Sequence, residues 1–363
     1  MDCRYFIPGP VWVRPEILAE MTRPMVGHRS GEFRQVMARI FPDLKALFRT
    51  KQHAFVASCS GTGLLEAAIL NCVPRSVLVT TCGAFSERWF QIANRLGLEA
   101  DRLDHAWGEP IDPVKLANHL AGRHHRYDAV TITHNETSTG VLNDLETLAR
   151  VVREHSGETL VLVDAVSSLA SAPLEFDAWG LDVCVASSQK GIGVPPGAAV
   201  FAVSDRAMAR SESEKYKGMY FDFLEFLRHF EESCNVPYTP AVPIYYALAA
   251  QLEHILRGEG LEARWARHRA MRDAILAGTA EHADPLAPRG HESPSVTTLV
   301  PKHGRTPRAV VDAMKERGFT LSGGYGRIKD DTFRIGHMGD LTLADVETML
   351  AALAEVFEES PAK

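Results

Sequence analysis

Residues 159–197 read TLVLVDAVSSLASAPLEFDAWGLDVCVASSQKGIGVPPG, and the fold turns on how this stretch is parsed. Leu160-Val161-Leu162-Val163 is too short for a lone helix and rich enough in β-branched residues for a buried strand, with Asp164 at its end. A second apolar run, Asp182-Val183-Cys184-Val185-Ala186, delivers Ser187-Ser188-Gln189-Lys190 into a glycine-rich turn. A carboxylate and a lysine at the ends of two buried strands can converge over one crevice, which is where open α/β sheets bind ligands. Taken singly, each has a plainer reading: a turn-capping acid and a solvated surface base.

The same alternation continues outward. His53–Ser58, Ser76–Thr80, Asp128–Thr133 and Ala198–Val203 read as strands, while Gly63–Cys72, Phe85–Leu96, Asp112–Leu120 and Leu145–His155 read as helices. Strands and helices alternating at these spacings imply an α/β fold with a mostly parallel sheet and helices on both faces. Glu32–Phe48 has helical spacing and is the first substantial helix; residues 243–280 read as strongly helical. Beyond them, strands Val296–Val300 and Thr332–Ile335 and a last helix Leu343–Phe357 suggest a smaller C-terminal α+β unit. The expected division is an irregular N-terminal segment 1–30, a large domain 31–258 and a small domain 259–363. Pro8, Gly9, Pro10, Pro15 and Pro24 punctuate the first segment, which should wrap over another element or another subunit.

Composition narrows the function classes. With 363 residues, 45% hydrophobic and 23% charged, the chain can bury a large core. A net charge of −7 argues against a nucleic-acid footprint. There is no signal-peptide pattern, and no run approaches the ~20 apolar residues of a membrane helix. Six cysteines without paired or metal-like spacing fit a reducing cytoplasm. No metal is expected: there is no HExxH, and His124-His125 read as a solvated, Arg-flanked loop. Arg264-Trp265-Ala266-Arg267-His268-Arg269 is read as a solvated helix face.

Cys59-Ser60-Gly61-Thr62-Gly63 lies between a strand and a helix, where hydroxyls, glycine backbone and the helix start can bind an anion. Simple capping by Ser60 or Thr62 uses the same groups. Phe85 opens the next helix and could stack on a flat ligand or belong to the core. His134-Asn135-Glu136-Thr137-Ser138-Thr139-Gly140 is a polar loop suited to a site wall, and Arg334 follows a strand in the smaller unit, where its planar fork could clamp a carboxylate. A dinucleotide motif fails, because Pro195-Pro196 and the following strand leave no helix after Gly191, Gly193 and Gly197. An acid under a ring nitrogen and a Schiff-base lysine are what pyridoxal phosphate chemistry requires.

Together these segments resemble the class V aminotransferases of fold type I, specifically the alanine–glyoxylate and serine–pyruvate (serine–glyoxylate) group. The resemblance runs from PGPVWV at residues 8–13 and GHRSGEF at 27–33 through CSGTG, HNETSTGVL, VDAVSSL, SSQKGIGVPPG and YTPAVP to FRIGHMGD. It implies pyridoxal 5′-phosphate, with Lys190 as Schiff-base lysine and proton shuttle and Asp164 on the ring nitrogen. Val166 and Phe85 would cover the two ring faces, although many relatives carry Trp at the latter position. Ser60, Gly61, Thr62 and Gln189 would hold the phosphate, Thr137 the ring hydroxyl, and Arg334 the substrate carboxylate. Thr239 would reach a neighbouring subunit's phosphate, implying a homodimer with shared active sites. Gly9 and the turn Gly27-His28-Arg29-Ser30 would line the pocket. The implied reaction moves the amino group of alanine or serine to a 2-oxo acid, glyoxylate or pyruvate. A phosphoserine or aminophosphonate aminotransferase is the runner-up, with Arg29, Arg327 and Lys329 as candidate anion ligands. A cysteine desulfurase fits less well, because the last cysteine is Cys234 and Gln189 stands where His usually precedes the lysine.

Overall fold

The computed structural model describes residues 4–122 and 127–359, so His124-His125 lie outside the described residues. Seven strands form the large sheet: β1 His53–Ala57, β2 Ser76–Thr81, β3 Glu99–Asp104, β4 Ala129–Thr133, β5 Leu160–Asp164, β6 Val183–Ser187 and β7 Ala199–Val203. Their order is β1-β7-β6-β5-β4-β2-β3. From β3 to β6 every pairing is parallel, and β7 is antiparallel to both its neighbours. Strands β2, β4, β5, β6 and β7 are buried along their whole length, as a sheet covered on both faces requires. The edge strand β3, EADRLD, carries no apolar run because an edge is half-solvated, and periodicity therefore misses it.

Register gathers the functional ends. Thr133 and Val185 flank Asp164, and Ser187 pairs with Ala199, which pairs with Ala57. The carboxyl ends of β1, β4, β5 and β6 thus share one edge of the sheet. Helices α1 Gly31–Phe48, α2 Gly61–Cys72, α3 Ser86–Arg95 and α4 Leu145–His155 pack beside this sheet in one continuous hydrophobic core.

The helical stretch expected over 243–280 is broken. Helix α5 Val242–Glu253 loosens into a wider turn, His254–Glu259, and Gly260 (φ +86°) interrupts the chain before α6 Leu261–Thr279. Helix α6 gives Trp265 to the first core and Met271 and Ile275 to a second one. Its basic cluster splits: Arg264 and His268 are fully buried between the two cores, while Arg267 is half-buried and Arg269 stays exposed. The inner face of α6 carries Arg264, which finds carboxylates there, at Glu259 and Asp340.

The second core lies against a four-stranded sheet, β8 Ala283–Pro285, β9 Val296–Pro301, β10 Ser322–Gly323 and β11 Phe333–Gly336, in the order β8-β9-β11-β10. Helix α7, Leu343–Glu358, contributes Val346, Met349 and Leu353. The N-terminal segment is less irregular than its prolines suggest. Arg4–Tyr5 pairs in parallel with Phe319–Thr320, Phe6 is buried in the second core, and Pro15–Glu20 is a short helix. Elements this short fall below any periodicity. Among the described residues no helix is long and apolar enough to cross a membrane.

Candidate active site

Lys190 sits in the tight turn Ser188–Ile192 that follows β6. Glycine is obligatory at Gly191, where a Cβ would collide with Leu169 O and Ser171 Oγ. A buried polar network underlies the turn. Arg264 donates to Gly191 O at 2.9 Å and to Asp340 at 2.8 Å, and Gln251 donates to Ile192 O at 2.7 Å and to Asp340 at 2.9 Å. Above it, Lys190 Nζ donates to Pro8 O. Gly9, at φ +100°, passes so close that a Cβ would stand 2.7 Å from Lys190 Cδ, and Val11 N donates to Gln189 O. The N-terminal segment therefore runs from the second sheet to the lysine. Burial first, and then the Arg334 charge, pushes the Lys190 ammonium down to about 8, against a weaker pull from Asp164.

Asp164, at the end of β5, is 5% exposed, and its Oδ1 accepts from Val166 N at 2.8 Å. Burial raises this carboxyl to about 7, with Glu136 adding to the rise. Beside it, the Thr137 and Ser167 hydroxyls share a 2.7 Å hydrogen bond, and Asn135 Nδ2 donates to Ser167 Oγ at 2.8 Å. Glu136 is fully buried and accepts from Phe85 N at 3.1 Å, Ser86 N at 2.8 Å and Ser86 Oγ at 2.9 Å. Its carboxylate thus satisfies the start of α3 and fixes Phe85.

At the start of α2, the Ser60 hydroxyl makes no capping bond, so the plainer reading of this segment does not hold there. A Cβ on Gly61 would strike Ser187 Oγ and approach Val166 Cγ2 at 2.8 Å, and that buried Ser187 hydroxyl has no partner among the described residues. Arg88 donates to Thr62 Oγ1 at 3.1 Å and lies 4.9 Å from the Phe85 ring centre, while Tyr325 stacks on Phe85 at 5.4 Å and 16°.

Arg334, on β11, is 8% exposed. Its Nε donates to Gly323 O at 3.0 Å and one terminal nitrogen to Thr137 O at 3.3 Å. Among the described residues no carboxylate lies within ion-pair distance of it, and burial lowers its guanidinium to about 10. A buried cation without a paired anion is costly.

Nine of the expected residues, Ser60, Gly61, Thr62, Phe85, Thr137, Asp164, Val166, Gln189 and Lys190, line one cleft of about 660 Å³, part of it open to solvent. Gly9 and Arg334 adjoin it through Lys190 and Thr137. Thr239 does not; it is exposed in a separate small pocket with Ala57, Tyr220 and Tyr238. Arg29 reaches Pro237 O and Arg327 reaches Glu87, so the candidate ligands for a second phosphate have different neighbours. Sequence reasoning missed Arg88, Ser167 and Tyr325 as site residues. Arg88 falls one helical turn after Phe85, a usable signal. Tyr325 has none, because its loop reaches the cleft only through the tertiary fold. Among the described residues no group of three or more His, Cys, Asp or Glu side chains is placed to hold a metal ion.

These residues fit pyridoxal phosphate on their own terms: a buried acid short of a cation, an unpartnered hydroxyl beside a helix start, and a lysine of lowered basicity between them. The sheet and its cleft are those of a fold type I pyridoxal-phosphate enzyme. The family model of the class V aminotransferases matches residues 16–327, and the chain belongs to that family. It is a pyridoxal-phosphate-dependent aminotransferase. The chain is 36% identical over 358 residues to a Synechococcus sp. protein called soluble hydrogenase, small subunit (97% of this chain, 92% of the other). It is 31% identical over 348 residues to serine–glyoxylate aminotransferase of Methylorubrum extorquens (93% and 86%). The crystal structure of alanine–glyoxylate aminotransferase from Nostoc sp. matches with a TM-score of 0.92 at 30% identity, covering 98% of this chain and 96% of the other.

Proposed function

We propose that the enzyme transfers the amino group of a small amino acid, alanine or serine, to glyoxylate or pyruvate. One observation carries this reading: a buried guanidinium, Arg334, is held at Thr137 beside the cleft, with no carboxylate within ion-pair distance among the described residues. Its fork takes the carboxylate that donor and acceptor share. The similarity to a serine–glyoxylate enzyme and an alanine–glyoxylate enzyme supports the choice of substrates.

When bound, pyridoxal phosphate supplies an electron sink for the carbon carrying the amino group. Lys190 would anchor it and then carry a proton to and from that carbon. With the ammonium lowered to about 8, a useful neutral fraction exists near pH 7. Asp164 would pair with the ring nitrogen and keep it protonated; a cation beside it would lower its carboxyl again. At the α2 start, Ser60, Gly61 and Thr62, together with Gln189, would hold the phosphate. Val166 and Phe85 would flank the ring, and Thr137 would hydrogen-bond its hydroxyl. Thr239, outside the cleft of its own chain, serves a second copy's phosphate, which makes the enzyme a homodimer. Free thiols at Cys59, Cys72, Cys82, Cys184 and Cys234 support a cytoplasmic location.

The test is a panel of amino acids mixed with the purified enzyme while the cofactor's visible absorption is followed. Rapid conversion by alanine or serine is expected. Conversion only by phosphoserine, glutamate or an aminophosphonate overturns the substrate assignment and leaves the chemistry standing.

A further inference from the structure

The loop between β10 and β11 crosses from the second sheet to the mouth of the cleft. Gly326 carries it there: it adopts φ +60°, and a Cβ would stand 2.6 Å from the Trp107 ring. Arg327 then latches onto the large sheet's side, donating to Glu87 at 2.6 Å with its guanidinium 5.2 Å from the Trp107 ring centre. Trp107 Nε1 and Arg102 donate to the same Glu87 at 3.3 and 3.2 Å. Glu87 lies on the first turn of α3, two residues after Phe85.

This latch fixes Tyr325, which is 40% exposed and whose hydroxyl makes no hydrogen bond among the described residues. Its ring is the working part. It stacks on Phe85 at 5.4 Å, and the Arg334 guanidinium lies 5.5 Å from its centre. One aromatic ring thus touches both the residue read as flanking the cofactor and the residue read as clamping the substrate. Among the described residues the hydrogen bonds of Arg334 go to two backbone carbonyls, Gly323 O and Thr137 O, which fix its nitrogens in their own plane.

We infer that Tyr325 is a positioning residue for substrate carboxylates: its ring face holds the Arg334 guanidinium at a set height over the cleft and ties it to Phe85. The inference rests on Arg334 receiving the carboxylate. A cation over an aromatic face is favoured where water is partly excluded, and leucine of similar size cannot replace that attraction.

The experiment measures binding of propanoate, a carboxylate with no amino group to react, to the cofactor-loaded enzyme by calorimetry. Wild type, Y325F, Y325L and R334A are compared, with alanine and glyoxylate kinetics alongside. Y325L should bind propanoate about tenfold more weakly, the size expected of a partly desolvated cation–π contact, and Y325F should restore the wild-type affinity. In kinetics, Y325L should raise KM for alanine and glyoxylate with kcat held, since Lys190 is untouched. Equal propanoate affinity in Y325L and wild type overturns the role of Tyr325 and leaves the aminotransferase reading intact. A loss in Y325F as large as in Y325L overturns it too, by assigning the effect to the hydroxyl. A wild type whose propanoate binding is unchanged by R334A overturns the carboxylate clamp itself, and Tyr325 with it.

Discussion

Replacing Arg264 with Met probes the floor of the lysine turn. Arg264 is fully buried and makes three hydrogen bonds through its terminal nitrogens: to Glu259 at 2.8 Å, Asp340 at 2.8 Å and Gly191 O at 2.9 Å. Hydrogen bonds to a charged group contribute about 1.5–3 kcal/mol each, which sets a gross loss of roughly 5–9 kcal/mol. Two facts offset it. Methionine avoids the several kcal/mol of guanidinium desolvation, and both carboxylates keep another partner. Asp340 retains Arg14 at 3.1 Å and Gln251, and Glu259 retains Arg267 at 2.6 Å. What remains is a stranded Gly191 carbonyl and a loosened pair, so Arg264→Met should cost about 3 kcal/mol, the low end for a broken buried pair. Asp340→Ala should cost more, because it strips Arg264, Arg14 and Gln251 of a shared acceptor at once. Urea unfolding gives both values, and cofactor affinity should fall in parallel as the turn carrying Lys190 loses its support. An Arg264→Met protein within about 0.5 kcal/mol of wild type, the range of an inert surface change, would refute the reasoning.

Arg334→Ala should lower kcat/KM about a hundredfold, the loss of a charged hydrogen-bonded clamp, while cofactor absorbance stays as in wild type; unchanged kinetics remove Arg334 from the site. Gly61→Ala places a methyl group against Ser187 Oγ and 2.8 Å from Val166 Cγ2, so displacement of the α2 start should weaken cofactor binding about tenfold in an equilibrium titration. In cofactor-free protein, the Lys190 ammonium is lowered from 10.5 to about 8, so the unfolded chain binds more protons between those values. Stability owed to this group therefore improves as pH rises from about 8 towards 10.5, and Lys190→Met should flatten that rise in urea midpoints taken at several pH values. Parallel slopes for the two proteins contradict the lowered ammonium.

Fully buried strands such as Leu160–Asp164 and Val183–Ser187 announce themselves as apolar runs, so the sheet and the Asp164–Lys190 pairing were legible from the chain. Apolar spacing likewise locates Leu145–His155. What periodicity cannot reach is context. Strand Glu99–Asp104 is polar because it is an edge, and Arg264 looks solvated until α6 is seen wedged between two cores. Arginine chemistry alone suggests a carboxylate clamp, but the anchor of Arg334 at Thr137 O and its ring support from Tyr325 depend on loops meeting across the two sheets. Gly9 was placed near the pocket by resemblance alone; its reason is steric, since only glycine lets the chain pass over Lys190.

The central claim is that Lys190 is the residue that holds the cofactor and moves the proton. Loading the protein with pyridoxal phosphate, reducing it with borohydride and mapping the peptides by mass spectrometry tests this directly. One pyridoxyl-modified peptide, modified at Lys190, is expected, and a Lys190→Ala protein should show neither the modification nor transamination. A reduced adduct on any other lysine, or an Lys190→Ala enzyme that still turns over alanine and glyoxylate, would contradict it.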